Sequence, residues 1–169
     1  MSEDSQSFYQ TVGAVSFLLL GLWWVVVQTH PQWHTNIARR RMAYVVSLHF
    51  TLPGAMSIFA ITAPDVGIVW RISFTIAGLL GIAGCLFVIA TLRTEHDAPR
   101  LVRIYQWVVL PAYVLITILA AAPEVVNGIG LSLTTLQVES LLLALVLFFG
   151  VQTAWVLAIE PARVGPDDS

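Results

Sequence analysis

Glu139 is the single charged residue in the stretch "LTTLQVESLLLALVLFF". A carboxylate in such a run can bind and release a proton, hold a cation, or form an ion pair with a buried base. At about 100° per residue, Ser132, Thr135, Val146, Gly150 and Thr153 fall on its side of a helix, and the opposite side is rich in leucine and phenylalanine. Glu139 is therefore expected to face protein, with Thr135 as a polar neighbour one turn away. Arg71, in "VGIVWRISFT", is its natural partner, because two helices running in the same direction place both at similar depth. An arginine–glutamate pair satisfies both charges. The alternative for Arg71 is a side chain that reaches to lipid headgroups.

His49 lies in "RRRMAYVVSLHFTLPGAMSIFAIT" and is the only histidine inside an apolar stretch. Val45, Met56 and Ala60 share its face, with Pro53 alongside. Such an imidazole can relay a proton, ligate a group, or serve as a hydrogen-bonded packing element. A membrane haem held by two histidines needs a second one, so a haem here would have to be shared across a dimer. His30 and His34 are four residues apart, but Pro31 interrupts any helix between them, and His96 sits in another short connection. There is one cysteine, Cys85, and no H-E-x-x-H pattern, so no metal or cofactor is expected. No phosphate-binding loop, nucleophile elbow, kinase set or dinucleotide fingerprint occurs, and the expectation is a protein that is not an enzyme. All eight basic residues are arginine, which removes lysine Schiff-base chemistry.

The elements that must position these residues follow from composition. The chain has 169 residues, 57% hydrophobic and 11% charged, against about 25% charged for soluble domains. So apolar a chain of this length cannot hide its hydrophobic residues in one water-soluble core. Five stretches are long enough to cross the about 30 Å hydrocarbon layer, near residues 9–28, 42–62, 66–92, 101–121 and 131–158. The expected fold is an all-α integral membrane bundle of five transmembrane helices in one domain, residues 1–169. The acidic start "MSEDSQS" is unlike the basic start of a signal peptide, so the first stretch is expected to be an uncleaved helix.

Arginine concentrates in cytoplasmic loops. Arg39, Arg40, Arg41, Arg93, Arg100, Arg103 and Arg163 alternate consistently with Glu3, Asp4, Asp65 and Glu124 on the other side. The expected orientation is N-terminus outside and C-terminus cytoplasmic, in the inner or plasma membrane. Trp23, Trp24, Trp33, Tyr44, Tyr105, Trp107 and Trp155 would gather at the inner interface, and Tyr9 and Trp70 at the outer one.

"LPGAMSIFAITAPDV" (52–66) resembles "LPAYVLITILAAAPEVV" (110–126). A parallel repeat of two helical hairpins is one explanation, convergence on the same turn chemistry the other. Pro53 and Pro111 each remove a backbone hydrogen bond inside a helix and can kink it, with Ser47 and Thr51 near enough to serve the carbonyl that Pro53 frees. Ser73, Ala77, Gly81 and Cys85 recur every four residues, the pattern of a closely packed helix face, within the chain or between copies.

Net charge is −2, which gives no basis for nucleic-acid binding. The expected partners are the lipid bilayer and either further copies of the chain or another membrane subunit. The expected function is a permeation or transport unit for an ion, a proton or a small solute, acting as an oligomer. The alternatives are an accessory, scaffold or sensor subunit and, third, a haem-carrying redox subunit.

Overall fold

The computed structural model describes residues 3–62, 67–94, 100–122, 124 and 135–159, and contains no strand among them. The helices are α1 (Glu3–Thr29), the single turn α2 (Gln32–Thr35), α3 (Ile37–Thr62), α4 (Gly67–Thr94), α5 (Arg100–Ala121) and α6 (Thr135–Ile159). Four are long and apolar enough to cross a membrane: α1 over Ser5–Thr29, α3 over Ile37–Thr62, α4 over Gly67–Arg93 and α6 over Gln137–Ile159. The apolar part of α5 is shorter, Gln106–Ala121. The expected starts at Val66 and Leu131, the Ala-Pro-acid turns at 63–66 and 122–125 apart from Ala122 and Glu124, Ser132, His96 and the Arg163 tail lie outside the described residues.

Helices α3, α4, α5 and α6 close a ring, each packed on the next and α6 returning to α3, while α1 lies against both α3 and α6. Cross-contacts set the register. Arg39 Nη1 donates to Leu157 O at 3.1 Å, and Arg41 Nη1 to Thr91 Oγ1 at 3.4 Å, at one end of the bundle. At the opposite end Arg71 reaches the last residues of α5, and Tyr9 of α1 bonds the Ser140 side chain of α6. These are called the arginine end and the Glu139 end.

Lipid tails are as apolar as leucine, so helices in a membrane are held by close packing and interhelical hydrogen bonds rather than by expulsion of water. Small residues mark the close approaches. Gly78 and Gly81 of α4 face Thr117 and Tyr113 of α5, where an added Cβ would overlap both side chains. Ala77, Gly81 and Cys85 are buried and Ser73 is half-buried, its hydroxyl donating to Val69 O at 2.8 Å. Gly54 of α3 lies under Phe17 and Ser16 of α1, and Gly150 of α6 lies against His49 and Phe50 of α3. Trp23 Nε1–H donates to Ala43 O at 3.0 Å and ties α1 to α3.

Leu18, Leu22, Ile72, Leu80, Leu141 and Phe148 point outward and are exposed. Glu139, His49 and Gln106 are inside. An apolar exterior around a partly polar interior is the arrangement that suits lipid as solvent.

Trp24, Tyr44, Trp107 and Trp155 are exposed, but Tyr9, Trp23 and Trp33 are buried. Each has a specific contact. Tyr9 packs edge-on against Phe74 at 6.3 Å. Trp23 makes the Ala43 bond, and Trp33, on α2, packs against it at 5.7 Å.

Helices α3 and α5 continue through Pro53 and Pro111, with Pro53 buried and Pro111 exposed. Proline at 53 deprives His49 O of its usual helix donor. Ser47 and Thr51 do not replace it, because their hydroxyls donate one turn back, to Ala43 O at 3.1 Å and Ser47 O at 2.8 Å. A serine or threonine in a helix has its own carbonyl four residues back within easier reach.

Candidate functional site

Glu139 enters α6 one turn after Thr135, which opens the helix. Its side of α6 continues through Leu143, Val146, Gly150 and Thr153, all buried, while Leu141, Leu145 and Phe148 are exposed. The leucine- and phenylalanine-rich face goes to the outside, and this turns the carboxyl inward. Glu139 is 0% exposed, and neither carboxyl oxygen has a hydrogen-bond partner among the described residues. Tyr9 and Ser140 bond each other beside it, and Tyr9 lies close enough for its hydroxyl to interact electrostatically with Glu139.

Arg71 does not pair with Glu139. Its Nε donates to Ala120 O at 3.1 Å and its Nη2 to Ala121 O at 2.7 Å. These are the last carbonyls of α5, which have no donor within their own helix. A cation at a helix C-terminus also meets the negative end of the helix dipole. Arg71 is thus drawn to the end of the helix that α4 packs against most closely. Glu139 is left without a cation among the described residues, and a carboxyl group so placed has a large solvation cost that a proton, a cation or a water would relieve.

A second buried polar group lies nearer the middle. His49 is 1% exposed, and its Nδ1 lies 2.6 Å from Val45 O, so Nδ1 carries the hydrogen of that bond. Nε2 has no partner among the described residues, and neither has the Tyr113 hydroxyl or Gln106 Oε1. The His49 and Tyr113 rings meet edge-on at 5.8 Å, and Gly150 lies against the histidine from the other side. Thr153, one turn further along α6, donates to Phe149 O at 2.7 Å. Tyr113 and Gln106 were not singled out from sequence, although a glutamine inside an apolar stretch was a visible signal.

The two groups are not joined. Between them lie Leu143 and Val146 of α6, Met56 of α3 and Ile116 of α5, each fully buried. Pro53 accompanies His49 on α3, whereas Pro111 is turned outward on α5. Of the stripe of Ser73, Ala77 and Gly81, Gly81 packs against the Tyr113 ring of α5, beside His49. No cluster of three or more histidine, cysteine or acidic side chains occurs among the described residues.

His30 precedes α2 and His34 lies within it, at the arginine end. His30 donates from Nδ1 to Val26 O at 2.7 Å and stacks on Trp33 at 4.5 Å. The chain matches no known family model, no curated protein and no solved structure.

Proposed function

We propose that this chain is a small proton-linked permeation or transport unit of the cell membrane, with Glu139 as its exchangeable proton or cation site. The observation that carries the reading is the fully buried Glu139 carboxyl with no partner on either oxygen among the described residues. Ionisable groups inside a membrane bundle are costly and are retained where a function uses them. The hydrogen bonds of Arg71 to α5 support it further, because they leave Glu139 uncommitted to a structural ion pair. The bundle's own centre is filled by side chains such as Phe74, Met56 and Tyr113, so a path at Glu139 is drawn between copies or opened by a movement of α1, which covers it with Tyr9.

The proposal keeps five crossings, with α5 as the fifth. It sets the N-terminus outside and the C-terminus in the cytoplasm, because arginines collect at one end and Glu3, Glu124 and Arg71 at the other. A duplicated hairpin is less favoured, since Pro53 and Pro111 occupy unlike surroundings. No catalytic step and no nucleic-acid partner is assigned.

One observation favours a second reading, an accessory or sensor subunit without transport of its own. The apolar layer of Leu143, Val146, Met56 and Ile116 interrupts the polar groups. A haem subunit draws less support, because the His49 ring is enclosed between Tyr113 and Gly150.

Purified protein in liposomes, assayed for proton and cation flux under an imposed voltage, tests the proposal. Flux is expected from the wild type and is expected to be lost in a still-folded Glu139→Gln. A wild type silent to every ion across the voltage range replaces the proposal with the accessory reading.

A further inference from the structure

The three consecutive arginines have different surroundings. Arg39 is buried and donates to Leu157 O of α6. Arg41 reaches α4, donating to Thr91 Oγ1 and lying over the Phe87 ring at 4.9 Å. Arg40 is exposed, and its guanidinium has no partner among the described residues. At 100° per residue it lies on the stripe of α3 that continues through Tyr44, Ser47 and Thr51.

That stripe forms one wall of a groove. The other wall is α1, with Phe17, Gly21 and Trp24, and the space between them is about 650 Å³. An added Cβ at Gly21 would meet nothing within 4 Å, so the groove is open at its floor. Trp24 and Tyr44, both largely exposed, stand on either side. The Ser47 and Thr51 hydroxyls in the wall are turned to their own helix carbonyls and leave an apolar lining. The lining ends at Trp24 and Tyr44, and Arg40 stands one turn of α3 beyond Tyr44 on the same stripe, toward the arginine end.

We infer that this groove holds one anionic phospholipid, its phosphate on Arg40 and an acyl chain lying over Gly21 between α1 and α3. Charge complementarity selects the anionic headgroup, since a guanidinium matches two phosphate oxygens at once. The aromatic pair lies at the depth where amphipathic rings meet the headgroup boundary. The inference rests on the membrane location of the helices and is independent of the transport reading.

Native mass spectrometry of the purified protein with added phosphatidylglycerol, compared with phosphatidylcholine, tests it. The wild type retains one phosphatidylglycerol in preference to phosphatidylcholine. Arg40→Gln reduces that preference by about tenfold, the loss expected for one charge-assisted hydrogen-bond pair. Gly21→Leu fills the trough and reduces retention of the lipid. Arg41→Gln removes the same charge one residue away and leaves retention unchanged. Neither Arg40 nor Gly21 touches a neighbour that folding needs, so both variants remain folded. Three results overturn the inference: no preference for phosphatidylglycerol in the wild type, equal losses from Arg40→Gln and Arg41→Gln, or full retention in Gly21→Leu. The last two would describe a general attraction of anionic lipid to a basic surface.

Discussion

Among the described residues Arg71 donates two hydrogen bonds and Glu139 accepts none, so replacing each by methionine is expected to move stability in opposite directions. Arg71→Met releases the last carbonyls of α5 and lowers stability by about 1 kcal/mol, the scale of an interhelical hydrogen bond in a membrane. Glu139→Met removes a buried polar group that no described residue satisfies and is expected to raise stability by about 1–3 kcal/mol. Unfolding in detergent by a denaturant series measures both. A destabilised Glu139→Met shows a partner for the carboxyl and ends its assignment as an uncommitted site. The direction in which Glu139 points was legible in the sequence, because the leucines and phenylalanines opposite it mark the lipid side of α6. The partner of Arg71 was not. Helix-end carbonyls are backbone groups and leave no residue-type signal, so the search for a partner found only the nearest acid.

For the helices, the glycines divide into those that hold two elements together and those that face open space. Gly81→Ala drives a methyl group into the Tyr113 ring and is expected to cost about 1–3 kcal/mol, as overpacking does. Gly21→Ala meets nothing within 4 Å and is expected to change stability by no more than about 0.5 kcal/mol. The same unfolding series distinguishes them, and equal losses would show that helix propensity rather than contact sets the values. The four-residue spacing of Ser73, Ala77, Gly81 and Cys85 was legible as a packing face. Its neighbour was not, since a stripe of small residues fits any helix. Helix α3 packs against α1, α4 and α6. Its polar content was a visible signal of that, because His49 and Ser57, both buried, have to be sheltered from lipid.

For the whole molecule, the apolar stretches were legible by length alone, and orientation is the property that charge assigns. Cys85, the single native thiol, is buried. An introduced cysteine is therefore the one a membrane-impermeant maleimide reaches. Glu3→Cys is expected to label in intact cells, and Arg93→Cys only after permeabilisation. The reverse pattern inverts the orientation assigned to the chain. Both positions are exposed and lie near helix ends, so neither substitution disturbs the bundle.

The apolar layer formed by Leu143, Val146, Met56 and Ile116 has an electrical meaning. Voltage across a membrane falls where there is no mobile or polarisable charge, so this layer acts as the insulator of the molecule. A proton that reaches Glu139 from the nearer face traverses little of that drop, and its binding is almost insensitive to membrane potential. A proton carried on to His49 traverses much of it and gains or loses up to about 2.3 kcal/mol per 100 mV. Voltage dependence therefore reports which side of Leu143 and Val146 a charge has reached.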